Sequence, residues 1–107
     1  MNANSPDPLR GVGHLDEELS EDTVKAKLED LDQWSEMNGS IQRTFQFKDF
    51  VEAMKFVNKA ADHAEEVQHH PDILIRWNKV TLTLSTHDAG GISEKDFAFA
   101  DFVDDLV

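Results

Sequence analysis

Two stretches of strict apolar–polar alternation, each joined to a turn signal, set the tightest limit on how this chain can fold. Asn38-Gly39 is typical of a two-residue hairpin, because a type I′ turn needs a positive φ at both central positions. Residues 34–37 and 41–47 are therefore predicted to pair as antiparallel strands. The same pattern predicts a second hairpin, with its turn at Asn78-Lys79 and its strands at 71–77 and 79–87.

Helical periodicity fills the segments around the hairpins. After the N-cap candidate Ser20, apolar residues recur at helical spacing and predict a short helix over residues 20–31. Asp49-x-x-Glu52 has the spacing of a capping box and opens a long apolar stripe. This helix should stop before His69-His70-Pro71, because a proline disfavours helical geometry at the residue before it. Ser93-x-x-Asp96 begins a last helix.

The element order αββαββα predicts an α+β fold, with a four-stranded antiparallel sheet and three helices on one face. One layer of helices leaves the other sheet face and the alanine-bearing side of residues 53–67 free, so self-association is expected. Arg43 interrupts the apolar side of its strand, which predicts that the strand leaves the core or reaches a sheet edge there. Residues 1–14 are interpreted as a flexible N-terminal tail, and residues 15–107 as a single domain.

Charge and composition limit the partners and the location that can be expected for this protein. The 107 residues carry 22 acidic and 10 basic side chains, a net charge of −12 with histidine neutral. That field repels phosphate backbones, so direct nucleic-acid binding is not expected. No stretch approaches the roughly 20 apolar residues that span a membrane, and the N-terminus lacks the blocks of a signal peptide. The absence of cysteine excludes disulfides and thiolate chemistry, and suits a cytoplasmic location.

Three of the five histidines are predicted to converge at one edge of the sheet. His69 and His70 precede the third strand and His87 ends the fourth, and an antiparallel hairpin returns its second strand to the level where the first began. Asp96 opens the next helix, close enough to add a carboxylate. Imidazole titrates near pH 6.5, so one ring can donate a proton while another accepts one. Such a pair could eliminate water from a carbon that bears a hydroxyl beside a nitrogen, without a thiol, cofactor or metal.

Structural explanations compete with this one. A histidine is commonly a solvated or hydrogen-bonded structural residue, and Asp96 is explained by a capping box alone. Three histidines and a carboxylate can also bind zinc, but adjacent histidines rarely share one ion and no HExxH or CxxC spacing is present. No metal and no cofactor are therefore expected. The acids Asp101, Asp104 and Asp105 are interpreted as a solvated helix face.

The same residues form a spacing that resembles a known family. Glu65-x3-His69-His70-Pro71-x5-Trp77-x9-His87-x8-Asp96 is similar to the signature of the pterin-4a-carbinolamine dehydratases. In animals this family is also known as a dimerization cofactor of a homeodomain transcription factor. The flanking stretches 45–50 and 82–87 resemble it as well, and the similarity extends over residues 19–106.

The resemblance implies an enzyme that dehydrates 4a-hydroxytetrahydrobiopterin to quinonoid dihydrobiopterin, recycling the pterin of aromatic amino-acid hydroxylases. The acid and the base are expected at His69 and His87, in either order, with His70 orienting the pterin and Asp96 supporting an imidazole. Trp34 matches a family tryptophan near the pocket, although a core role fits it equally well. The catalytic positions are thus His69, His70, His87 and Asp96, and the pterin contacts are Gln68, His69, His70, Ser85, Thr86, His87 and Asp88.

The resemblance further implies homodimers or homotetramers, with the alanine-bearing side of residues 53–67 as a candidate contact. A nuclear location beside the cytoplasmic one follows from the transcription-factor partner known in the family. Two alternatives remain at this point: a binding module that stabilises a transcription-factor dimer, and an assembly chaperone on the same fold. The three histidines favour the enzyme, because a scaffold does not need them.

Overall fold

The computed structural model describes residues 17–107, and the tail predicted over residues 1–14 lies outside the described residues. Its sheet has four antiparallel strands in the order β1-β2-β4-β3. Strands β2 and β4 are therefore central, and β1 and β3 form the edges. The strands are β1 (Ser35–Met37), β2 (Ser40–Gln46), β3 (Asp72–Arg76) and β4 (Lys79–Leu84).

The first hairpin is as predicted, and the second turns one residue earlier. Asn38 and Gly39 have φ of 51° and 79°, the positive values that their turn requires. In the second hairpin Arg76 pairs with Lys79, so that the turn consists of Trp77 and Asn78. Trp77 takes a φ of 55° and does not continue the strand.

Strand β4 ends at Leu84, so the prediction that it continues to His87 is wrong. The N–H of Thr86 donates to the carbonyl of Gly91 at 2.7 Å, and a 3₁₀ turn spans His87–Ala89. Gly90 has a φ of 80°, which lets the chain double back on itself. The N–H of Thr86 is therefore paired within the loop instead of with β3.

Three helices surround the two hairpins, and each begins at a side chain that caps it. Ser20 accepts a hydrogen bond from the N–H of Thr23 at 3.2 Å, and Asp49 accepts one from the N–H of Glu52 at 2.9 Å. The helices are α1 (Glu21–Leu28), α2 (Phe50–Val67) and α3 (Glu94–Asp104).

One hydrophobic core lies between the helices and one face of the sheet, which confirms the predicted α+β fold. Strands β2 and β4 supply alternate residues, and each helix supplies one stripe. The alanines of α2 at positions 53, 60 and 64 are buried here. The expectation that this alanine-bearing side is free for contact with another chain is therefore wrong. The buried apolar side chains are Val24, Trp34, Ile41, Phe45, Ala53, Phe56, Val57, Ala60, Ala64, Val80, Leu82, Leu84, Ile92, Phe97, Phe99, Ala100 and Val103.

Arg43 lies in the central strand β2, so its presence does not mark an edge or a departure from the core. Its guanidinium lies 4.2 Å from the ring centroid of Phe45 and donates to the carboxylate of Asp104 at 2.7 Å. The same carboxylate accepts from the indole N–H of Trp34 at 3.0 Å. A carboxylate from α3 thus allows a guanidinium to face the helices, and Trp34 is a core residue.

Candidate active site

A cleft of about 330 Å³ opens where α2 ends and β4 leaves the sheet. Its lining includes all seven residues predicted as substrate contacts. It also includes two residues that the sequence reasoning did not single out, Asp72 and Lys95. The full lining is Gln68, His69, His70, Asp72, Ser85, Thr86, His87, Asp88 and Lys95.

A wider hollow of about 650 Å³ lies at the turn between β3 and β4, lined by Gln46 and residues 76–79. It contains neither a histidine nor a carboxylate, so it offers no group that exchanges protons near neutral pH. Of these two cavities, the smaller cleft is therefore the one that offers acid–base chemistry.

The end of α2 brings the two adjacent histidines to the cleft. Gln68 takes left-handed dihedral angles, φ 55° and ψ 45°, and terminates the helix. The N–H of His69 donates to the carbonyl of Ala64 at 3.1 Å, which turns the chain away from the helix axis. Pro71 then leads into β3, so His69 and His70 lie between two rigid elements.

His69 is held by a buried carboxylate. Its Nε2 lies 2.6 Å from Oδ1 of Asp96, a residue that is 0% exposed. The His69 side chain itself is only 11% exposed. Within residues 17–107, its Nδ1 has no hydrogen-bond partner, so that nitrogen remains available to a ligand.

Asp96 owes its position to the start of α3. Its Oδ2 accepts the N–H of Ser93 at 2.9 Å, which is the capping contact expected from the sequence. The same oxygen accepts the hydroxyl of Thr86 at 2.8 Å. Asp96 therefore caps the helix and contacts His69 at once, so the structural and functional explanations of this residue are compatible.

The second histidine of the pair has a different environment. His70 Nε2 lies 2.5 Å from Oε2 of Glu65, and both side chains are more than half exposed. An ion pair in contact with water contributes little to stability. Glu65 lies in the last turn of α2 and His70 follows the end of the helix, so their contact holds the His70 ring at the rim of the cleft.

His87 reaches the cleft by a route that the strand count did not predict. It begins the 3₁₀ turn after β4, and its exposed side chain lines the same cleft as His69 and His70. In the part of the chain that the structure describes, its ring has no hydrogen-bond or ion-pair partner. The three imidazoles therefore meet at one cleft in three different settings.

The two additional lining residues had weak signals in the sequence. Asp72 begins β3 immediately after the His69-His70-Pro71 triplet, and it pairs in register with Thr83. Lys95 lies between Ser93 and Asp96 in the first turn of α3. Each of them could have been found as a neighbour of a predicted site residue.

The remaining histidines do not line this cleft. The ring of His63 stacks on Phe102 with centroids 3.6 Å apart, as a residue of the helix packing. His14 lies outside the described residues. In residues 17–107 no three histidine, aspartate or glutamate side chains are grouped so that they could hold a metal ion. None of the helices described is both long and apolar enough to cross a membrane.

The fold and this cleft define a class, that of α+β proteins with a site built from histidines and carboxylates. Comparison with known proteins gives the family. The family model described as Pterin 4 alpha carbinolamine dehydratase matches residues 17–106. The chain belongs to this family and is thus a hydro-lyase by class.

Individual relatives agree with this assignment. A protein of Picosynechococcus named "Putative pterin-4-alpha-carbinolamine dehydratase" is 49% identical over 88 residues, which are 82% of this chain and 96% of the relative. The crystal structure of a transcriptional coactivator/pterin dehydratase from Brucella melitensis is similar with a TM-score of 0.80 and 36% identity, over 82% of this chain and 96% of that one. A pterin dehydratase-like RuBisCO assembly factor of the alpha-carboxysome is similar with a TM-score of 0.58 and 26% identity, over 68% and 84%.

Proposed function

We propose that this protein dehydrates 4a-hydroxytetrahydrobiopterin to quinonoid dihydrobiopterin, and so recycles the pterin that aromatic amino-acid hydroxylases use. The observation that carries the proposal is the cleft that His69, His70 and His87 line together in a chain of the dehydratase family. Its volume, about 330 Å³, lies within the range of small-molecule sites.

The settings of the histidines support a division of roles. When Nδ1 of His69 takes the N5 proton of the substrate, the Asp96 carboxylate beside Nε2 stabilises the positive ring. The electron pair of the N–H bond forms the C4a=N5 double bond as the C4a–O bond breaks. His87 donates a proton to the departing hydroxyl, which leaves as water. One proton enters the enzyme at His69 and one leaves it from His87, so the step is balanced, and proton exchange with water then returns both rings to their starting states.

The other lining residues position the pterin. His70, held at the rim by Glu65, orients the ring system. Gln68, Ser85 and Asp88 offer polar atoms to the edges of the pterin, and the carboxylate of Asp88 can accept from its amino group. His69, held by Asp96, and the His87 ring are the base and the acid that this reaction requires.

His87→Ala tests the proposal. We expect turnover to fall by roughly 10²- to 10⁴-fold, the usual contribution of one positioned acid or base. The decay of enzymatically generated 4a-hydroxytetrahydropterin is followed by ultraviolet absorbance, with circular dichroism as the check on folding. The matched control is Asn58→Ala, an exposed position on α2 outside the cleft. Wild-type turnover in His87→Ala would exclude His87 from the mechanism.

The second candidate function is a binding module that stabilises a transcription factor or assembles another protein. The Brucella relative described as a coactivator and the RuBisCO assembly factor favour it as a role of this fold. One measurement distinguishes the two functions. If the wild-type protein does not accelerate the decay of 4a-hydroxytetrahydropterin above the spontaneous rate, the dehydratase proposal is contradicted and the binding module is the remaining candidate.

We further propose that the protein forms a homodimer through the free edge of β3. Since Arg76 and Lys79 close a two-residue hairpin, the backbone groups of Ile73 and Ile75 point away from β4, and within residues 17–107 no strand pairs with them. An antiparallel pairing centred on Leu74 places Ile73 opposite the partner's Ile75 and Asp72 opposite the partner's Arg76. Leu74 and Ile75 are exposed apolar residues on this edge, and the charges at its two ends are self-complementary.

A charge exchange tests this dimer. Asp72→Arg or Arg76→Asp alone places like charges opposite each other in both symmetric pairs, and we expect the dimer to weaken at least about tenfold. The double variant restores opposite charges and the dimer. Sedimentation equilibrium measures the mass, and Glu36→Arg on β1, the other edge strand, is the control. Single variants with an unchanged dimer dissociation constant, or a double variant that does not recover the wild-type constant, would contradict the pairing.

A further inference from the structure

Four polar side chains form a connected buried network beside the cleft. His69 contacts Asp96, Asp96 contacts Thr86 and Thr86 contacts Ser93, with separations of 2.6, 2.8 and 2.6 Å. Thr86 is only 6% exposed, and Ser93 and Asp96 are fully buried. Thr86 was predicted as a substrate contact, so the direction of its hydroxyl decides what it can do.

The hydrogen atoms in this network have one consistent arrangement. A carboxylate only accepts hydrogen bonds, and a threonine hydroxyl has a single hydrogen to donate. Thr86 gives that hydrogen to Oδ2 of Asp96, so the hydroxyl of Ser93 donates to Thr86. The oxygen of Ser93 in turn accepts the N–H of Lys95 at 3.2 Å. The Thr86 hydroxyl thus has both a donor and an acceptor partner inside the protein.

Asp96 is oriented by these contacts. Oδ2 is held by two donors, the hydroxyl of Thr86 and the N–H of Ser93, which leaves Oδ1 directed at His69. Because Oδ1 of Asp96 accepts a hydrogen bond, the Nε2 atom of the His69 ring must carry a hydrogen. The neutral ring of His69 then carries its lone pair on Nδ1.

We propose that Thr86 is a positioning residue that acts through Asp96 to fix the Nε2–H tautomer of His69, and not a residue that binds substrate. This inference rests on the proposed function for its kinetic consequence, because Nδ1 of His69 is the nitrogen that takes the N5 proton. Its structural part, the tautomer of a ring in the free protein, does not depend on any substrate.

Nuclear magnetic resonance of the full-length protein tests the structural part. Two-bond ¹H–¹⁵N correlation spectra distinguish the two neutral tautomers of His69 by the shifts of Nδ1 and Nε2. We expect the Nε2–H form in the wild type and an increased share of the Nδ1–H form in Thr86→Val, which keeps the shape but lacks the hydroxyl. Thr86→Ser restores the hydroxyl and the wild-type spectrum. If valine prevents folding, Thr86→Ala provides the same comparison.

Kinetics tests the consequence for catalysis. We expect kcat of Thr86→Val to fall about tenfold or more, as one hydrogen bond to a carboxylate is lost, with KM unchanged within about twofold. Thr86→Ser recovers kcat. The matched control is Thr81→Val, the same substitution in β4 on the open face of the sheet, where the hydroxyl pairs with that of Thr44.

Two results would overturn the inference. One is a Thr86→Val protein that retains the Nε2–H tautomer, and the other is a raised KM with an unchanged kcat, which is the mark of a substrate contact. A failure of the proposed function has a different signature, because then the wild type itself lacks dehydratase turnover. The tautomer comparison between wild type, Thr86→Val and Thr86→Ser still decides the role of Thr86 in that case.

Discussion

At the scale of single residues, aspartate takes three roles in this protein according to its surroundings. Asp96 is fully buried and accepts hydrogen bonds from three groups, Asp72 is exposed at the cleft, and Asp104 is half-buried between Trp34 and Arg43. The sequence placed Asp104 on a solvated helix face, which is wrong. Its partners lie 70 and 61 residues away, at a distance that no local pattern reports.

The contact of Asp104 with Trp34 and Arg43 gives a prediction about stability. Asp104→Ala removes one acceptor from both donors, and we expect the free energy of unfolding to fall by about 2 kcal/mol, the usual cost of losing hydrogen bonds to a charged group. Urea denaturation measures it. Asp105→Ala is the control, because it removes the next charge along the chain without these contacts, and an equal loss in both variants would contradict the argument.

At the scale of elements, periodicity and turn chemistry predicted the strands and helices, while tertiary contacts decided where the turns lie. Asn38-Gly39 was predicted correctly because the backbone preference of those two residues is local. The second turn lies one residue earlier than predicted because Asn78 is buried and bound to a distant segment. Its side-chain N–H donates to the backbone carbonyl of Phe47 at 2.9 Å, and its backbone carbonyl accepts from the N–H of Phe47. The alternation of apolar and polar residues over 71–77 carries no information about this contact between distant segments. That alternation alone therefore predicts, wrongly, that Trp77 lies in a strand.

The displaced turn leaves Trp77 in an unfavourable conformation. Its φ is 55° although its side chain is 67% exposed, so burial does not compensate for the strain. We expect Trp77→Gly to raise the free energy of unfolding by about 1 kcal/mol, since glycine adopts positive φ without a steric penalty. Denaturation of Asn38→Gly is the comparison, because asparagine already tolerates this conformation and the change there should be near zero. A less stable Trp77→Gly would show that the ring packs in a way that outweighs its backbone strain.

At the scale of the whole molecule, part of the excess of acids over bases lies at an unfavourable place, the C-terminal end of α3. Asp101 lies in the last turns of α3, where the negative end of the helix dipole disfavours carboxylates. Burial raises the pKa of Asp101, and the nearby charges of Asp104 and Asp105 raise it further, whereas Lys27 opposes them. The net charge of −12 therefore includes at least one carboxylate whose ionisation works against folding.

The direction of this effect follows from proton linkage. The folded state of Asp101 has a pKa above the ordinary value of 3.8, so between the two values the folded protein binds more protons than the unfolded chain. Stability then falls as the pH rises through that window and stays lower above it. Asp101→Asn removes the titration, and we expect it to be more stable than the wild type at pH 7 and equal to it or less stable near pH 3.

Thermal unfolding from pH 3 to pH 8 tests the role of Asp101, with Asp62→Asn as the control that removes an exposed charge from the middle of α2. Only Asp101→Asn should flatten the decline in Tm that begins above pH 4. Added salt separates the two causes of the raised pKa of Asp101. At about 1 M salt the Debye length is near 3 Å, so the repulsion from Asp104 and Asp105 is screened, whereas the burial of Asp101 is unchanged. The stability advantage of Asp101→Asn over the wild type should therefore become smaller in salt without vanishing, since burial is the largest cause of the raised pKa. Its complete disappearance would assign the effect to repulsion alone.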